Sequence, residues 1–172
     1  MHKSRRIPHL KYERQLWKKG FKGVAGVDEV GRGCFAGPVV ASAVALAPMS
    51  NYQSPIFNGR ERIIINDSKR LRPEQRELAA RWIKENALTW GVGEVSASVI
   101  NRIGMAKATK MAFRRAVKHA QERLRYNEKS SSILISQYHN IQFLLLDAFY
   151  IPYVRGLRRK NQLAIIDGDE KS

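Results

Sequence analysis

The 172-residue chain has little of what usually announces chemistry by itself. Its single cysteine, Cys34, excludes an internal disulfide framework and a cysteine zinc cluster. The thiol fits a reducing compartment, with a small packed residue as its default role. Acids are scarce, 15 against 31 Lys and Arg, so the formal net charge is +16. That excess favours a polyanionic partner, with a solvated basic surface as the competing reading. Long apolar runs are missing too. The stretch 38–49 is far short of a membrane span, and the basic N-terminus has no apolar h-region, so a cytoplasmic protein with no membrane partner is expected. The four histidines, His2, His9, His119 and His139, lie outside every acidic motif and receive no catalytic role. There is no internal repeat, and 44% hydrophobic residues over this length suit one sizeable core.

What is present centres on residues 23–46, GVAGVDEVGRGCFAGPVVASAVAL. Val24, Ala25 and Val27 read as a short buried strand and 39–46 as a second, joined by a compact glycine-rich connection. Two adjacent carboxylates, Asp28 and Glu29, fall near the mouth of this hairpin. On a regular strand they point to opposite faces, so both reach one site only if the strand ends, bends or bulges there. Gly31 and Gly33 would permit such backbone. The glycine spacing is one residue too long for a dinucleotide fingerprint, and acids placed before it would repel a pyrophosphate, which argues against a nucleotide cofactor.

Along the chain, His9 to Lys19 reads as a short amphipathic helix stopped by Gly20, in a basic segment that touches a phosphate backbone or merely keeps the chain in solution. Residues 47–62 have the composition of an irregular connection. Pro73 and Glu74 suit the start of a helix whose buried stripe is Leu78, Trp82 and Ile83. Just before it, Asp67, Ser68 and Lys69 form a turn. Either it is a solvated turn, or it offers a hydroxyl and a cation to a phosphate. Residues 89–97 alternate as a third strand, and Ser98 is a candidate cap for the helix after it. From 99 to 124 the spacing of Ala108, Ala112, Ala116 and Ala120 predicts one long helix with a smooth core face, opposite Lys107, Lys110, Arg114, Arg115 and Lys118. Residues 126–140 read as a connection. Residues 141–146 suit a central strand covered on both faces and end on Asp147, either a site residue or the cap of the next turn. Residues 162–166 make a last strand running into Asp167 and Asp169.

The run GVDEVGRGCFAGPVVASAVAL, succeeded in order by NDSKRL, INRIGMAKATKMAFRRAV, LLLDA and IIDGDEKS, resembles the ribonuclease HII family from Gly23 onward. The likeness implies an α/β ribonuclease H-like fold, a mixed sheet of about five strands flanked by helices, with 1–22 as a basic helical extension and 23–172 as the catalytic domain. It implies endonucleolytic cleavage of RNA in RNA-DNA hybrids and at ribonucleotides in duplex DNA, by a chain expected to act as a monomer. Asp28, Glu29 and Asp147 match the family's metal-binding and catalytic carboxylates, implying Mg²⁺ or Mn²⁺, whose hard character suits oxygen ligands. Gly31, Arg32 and Gly33 match the motif that reads a 2′-hydroxyl, and the DSK turn with Ser68 and Lys69 matches a substrate-binding element whose lysine faces the phosphate backbone. Ala148 stands where the family more often has glycine. The family's fourth carboxylate is expected beyond Ser172, so a C-terminally truncated chain is expected, with a non-catalytic hybrid-binding module or inactive fragment as the alternative.

Overall fold

The computed structural model of the chain describes residues 9–33, 36–48, 55–58, 60–130, 138–147, 150–154 and 156–165, with 127–130 described in backbone only. Cys34, Ala148, Asp167 and Asp169 lie outside the described residues.

Five strands form one mixed sheet. These are β1 (Val24–Val30), β2 (Val39–Ala45), β5 (Thr89–Val95), β6 (Phe143–Asp147) and β7 (Gln162–Ile165), in the order β5-β2-β1-β6-β7. The β1–β2 and β2–β5 pairs are antiparallel, β1–β6 and β6–β7 parallel. β6 takes an inner position, and Phe143 to Leu146 are all buried, as a parallel strand covered on both faces requires. Its apolar run is therefore a consequence of topology, not of local preference.

The two faces of the sheet are covered differently. Ala25, Val27, Leu144 and Leu146 join the larger core under helix α4 (Met105–Ser130). Val24, Phe143, Leu145 and Ile165 point the other way and pack with Leu16 of α1 (Lys11–Lys18). On the α4 side the alanine stripe is fully buried, and it meets Gly91 and Gly93 of β5. A Cβ on either glycine would run into the α4 backbone at Ala112, Ala116 or Ala120. Thr89 fastens the same contact by donating its hydroxyl to the Ala120 carbonyl at 2.7 Å.

Four expectations needed correction. The helix expected over 99–124 is two helices, α3 (Ala97–Ile103) and α4, because Gly104 takes φ +81° between them. Ser96, not Ser98, occupies the cap position, and Ser98 lies in the first turn. Within the irregular connection a small hairpin forms, β3 (Ile56–Asn58) with β4 (Glu61–Ile63). On α2 (Pro73–Asn86) Leu78, Trp82 and Ile83 are only half-buried, and Ala79 is the buried residue. Trp82 and Ile83 line a cavity of about 230 Å³ against Val24, Gly26 and Val44, which leaves them incompletely covered.

Candidate functional site

β1 continues two residues past Asp28, and its register with β2 is unbroken, Asp28 opposite Ser42, Glu29 opposite Ala41 and Val30 opposite Val40. No bulge intervenes. The two adjacent acids therefore lie within a regular strand and alternate between its faces. Asp28 shares a face with Val24, and Glu29 shares one with Ala25 and Val27.

Asp147 supplies the partner that Asp28 needs. The parallel register of β1 with β6 sets Val27 beside Leu146, and one further step sets Asp28 beside Asp147. By the same alternation Asp147 follows Phe143 and Leu145 onto the face that carries Asp28. Neighbouring strands run about 4.8 Å apart, so carboxylates from two distant parts of the chain project from neighbouring positions at the C-terminal edge of the sheet. Such an edge of parallel strands is where α/β folds commonly gather their site residues.

Glu29 is held elsewhere. Its side chain is 12% exposed and accepts from Arg32 Nη1 at 3.0 Å. Asp28 Oδ1 accepts the Glu29 backbone N–H at 2.7 Å. Among the described residues no three His, Cys, Asp or Glu side chains converge closely enough to hold a metal ion. The donor chemistry of the Asp28 and Asp147 pair nevertheless suits a hard divalent cation, because both offer carboxylate oxygen and crowd like charge together.

Of the connection after β1, Gly31 and Gly37 have the positive φ that favours glycine, Gly37 at +127° with open space around it, and Gly31 is restricted by contact as well. Its φ is +98°, and a Cβ there would press on the Pro38 carbonyl. Gly33 has open space around it and no such restriction. In the DSK turn, Asp67 acts as a turn former, its Oδ1 accepting Lys69 N–H at 3.0 Å over a 3-10 turn Ser68–Arg70. Arg76 braces the turn by donating to the Leu71 carbonyl at 2.7 Å. Ser68 and Lys69 are exposed. The cavity shared by Ile65, Trp82, Gly26 and Val44 sets the segment that carries this turn on the same face of β1 as Asp28.

One titratable group escaped the sequence reading. Glu13 of α1 lines the 230 Å³ cavity, its Oε2 is buried without a hydrogen-bond partner, and burial pushes its carboxyl above the usual range. The signal was its spacing, three residues before Leu16 and four before Trp17, which puts an acid on the apolar side of the helix.

Comparison with known proteins places these features among relatives. The sequence profile of the family described as Ribonuclease HII matches residues 25–144. A ribonuclease HII from Dehalococcoides mccartyi is 37% identical over 157 residues, covering 91% of this chain and 61% of that protein. The Aquifex aeolicus ribonuclease HII is 39% identical over 163 residues, covering 95% and 66%. The chain thus spans less than two thirds of the length of these relatives. Among solved structures, that of Bst-RNase HIII in complex with Mn²⁺ superposes with a TM-score of 0.55 at 15% identity, over 91% of this chain and 49% of that one. A mutant form of Bst-RNase HIII gives 0.52 at 16% identity, over 87% and 46%. These likenesses establish the ribonuclease H-type fold.

Proposed function

The chain belongs to the ribonuclease HII family, and we propose on that premise that it is an endonuclease hydrolysing the RNA strand of RNA-DNA hybrids and cutting at ribonucleotides embedded in duplex DNA. The observation that carries the reading is the parallel register of β1 with β6, whose pair Val27 with Leu146 leaves Asp28 and Asp147 next in line on one face at the C-terminal edge.

In this reading Asp28 and Asp147 hold a divalent cation, Mg²⁺ or Mn²⁺, which when bound supplies Lewis-acid polarisation of the phosphodiester and a more acidic water. The Mn²⁺ complex of the structurally similar ribonuclease HIII supports metal use without choosing the ion. Glu29 joins the carboxylate set only if the end of β1 bends toward the face of Asp28 and its ion pair with Arg32 opens. Gly31, Arg32 and Gly33 read the 2′-hydroxyl through backbone groups, which is the one place where RNA and DNA differ at a given nucleotide. Ser68 and Lys69 meet the backbone of the duplex, and the net charge of +16 steers the polyanion in. None of the histidines has a part.

A duplex carrying one ribonucleotide, incubated with Mg²⁺ or Mn²⁺ and with chelator, tests this. The expected result is cutting at the ribonucleotide with metal, none with chelator, and none of an all-DNA duplex. Tight binding of the ribonucleotide duplex without any cutting would overturn the assignment in favour of a binding module.

A further inference from the structure

At the opposite end of the sheet from Asp28 and Asp147 lies a cleft of about 790 Å³, between α4, the connection 150–161 and the starts of β1 and β6. Gly23 and Ile141, which line it, lie before the starts of β1 and β6, whereas the two acids lie toward the far ends of those strands, so the cleft is roughly 17 Å along β1 from Asp28. Its chemistry is one-sided. Lys22, Arg114, Lys118 and Arg125 line it against a single acid, Glu122. Glu122 is 3.6 Å from Lys118, a solvent-exposed pair that neutralises little. The arginines are held by neutral acceptors, Arg114 Nη1 donating to the Pro152 carbonyl at 3.3 Å and Arg125 Nη2 to Asn140 Oδ1 at 3.1 Å. These bonds aim the guanidinium groups without cancelling their charge, so the α4 face is ordered before an anion arrives.

Tyr153 adds an aromatic plate to the rim. It is 93% exposed, and among the described residues it alone has positive φ without being glycine, at 58°. Ile151 and Val154 on either side are buried in the core. The chain is thus anchored on both sides of the tyrosine, and the left-handed residue between them turns the ring outward instead of inward. Strain of that kind persists only where neighbouring packing enforces it, and it concentrates at functional positions.

We propose that this cleft binds single-stranded nucleic acid, phosphates on Lys22, Arg114, Lys118 and Arg125 and an unpaired base stacked on Tyr153. A basic groove with an exposed aromatic at its rim is the general solution for strands whose bases are free to stack. A duplex buries its base faces and cannot use the ring. The site is independent of the proposed cutting reaction and would serve to hold an unpaired strand while the other end of the sheet engages a duplex.

Fluorescence anisotropy with labelled oligo-dT, oligo-rU and an all-DNA duplex, in chelator, tests it. Both single strands are expected to bind, and a difference between them shows whether the cleft favours RNA or DNA. Tyr153→Ala should weaken single-strand binding about tenfold and leave the duplex unaffected. The double variant Arg114→Gln, Arg125→Gln should lower the slope of log K against log salt for the strands by about 1.4. If that variant melts early, having lost the Pro152 and Asn140 bonds, the exposed pair Lys22→Gln, Lys118→Gln decides instead. Unchanged strand affinity in Tyr153→Ala, or equal weakening for strand and duplex, overturns the stacking site. Displacement of the strand by polyglutamate at equal charge concentration overturns it too, and points to an acidic protein as occupant. Cutting of a fully paired ribonucleotide duplex should be unchanged in Tyr153→Ala, so failure here and failure of the endonuclease reading are separately visible.

Discussion

Under α4, Ala112, Ala116 and Ala120 rest on Gly91 and Gly93 with no exposure, whereas the other face of the same sheet leaves a cavity of about 230 Å³ beside Glu13. On the first face, where Gly91 and Gly93 meet α4, backbone approaches backbone so closely that one methyl group is excluded. The second carries Asp28 and Asp147 at its edge and is covered by half-buried Tyr12, Trp17, Trp82 and Ile83. The contrast shows how one sheet meets two demands. The α4 face fixes the strand positions, and the opposite face is then free to carry two acids at its edge without relying on them for packing.

The contrast is broken most violently by removing chemistry from the open face without touching the closed one. Asp28→Asn keeps the volume of an exposed residue, so thermal stability should be unchanged while metal-dependent cutting falls by about 10³-fold or more. Single-turnover assays of wild type and variant read this, and cutting within a few-fold of wild type would remove Asp28 from the site. The converse experiment is Gly93→Ala. Its Cβ meets the α4 backbone at Ala112 and Ala116, so it should cost about 3 kcal/mol and lower the midpoint of thermal unfolding by roughly 10 °C. A melting curve identical to wild type would mean that α4 lies farther from β5 than described.

Much of this contrast was legible beforehand, and the remainder was hidden for physical reasons. The alanine spacing announced a close helix face, and the β1–β2 hairpin could be read from two apolar runs around glycines. The break at Gly104 was hidden because one glycine in an otherwise helical pattern is tolerated as often as it interrupts. The β3–β4 hairpin escaped because each strand has three residues, Phe57 stays exposed, and no alternation builds up over so short a span. The pairing of β6 with β1 could not be deduced from local pattern, since it joins segments more than a hundred residues apart. Resemblance, not periodicity, supplied the expectation that Asp28 and Asp147 act together. The expectation that Glu29 reaches the same side through a bend met a regular strand, with Arg32 holding the carboxylate instead.

Smaller effects sharpen the picture of the open face. If Lys69 on the DSK turn touches a phosphate, Lys69→Ala should reduce the salt dependence of hybrid binding by about one unit in log K against log salt. An unchanged slope returns it to the solvated surface. Glu13 gives the mildest signal. Its folded carboxyl is raised by burial, so the neutral form is favoured in the fold, and the associated stability is full below the ordinary carboxylate range. That stability is lost as the pH rises through the raised value, so at neutral pH the buried charge is a burden. Glu13→Gln should then raise the midpoint of unfolding by about 2 °C at pH 7 and by less at pH 4. A larger gain at the lower pH would contradict the assignment.

The central claim is that two residues from opposite ends of the sequence, Asp28 and Asp147, form one cation site through strand register. Titration of Mn²⁺ followed by electron paramagnetic resonance, without nucleic acid, addresses it directly. Wild type is expected to bind Mn²⁺, Asp28→Asn and Asp147→Asn each to weaken it about tenfold or more, and Glu61→Gln, an exposed acid of the separate β3–β4 hairpin, to leave it unchanged. Affinity retained in Asp147→Asn but lost in Asp28→Asn would show that the two carboxylates do not share an ion, and the account of the site would fail.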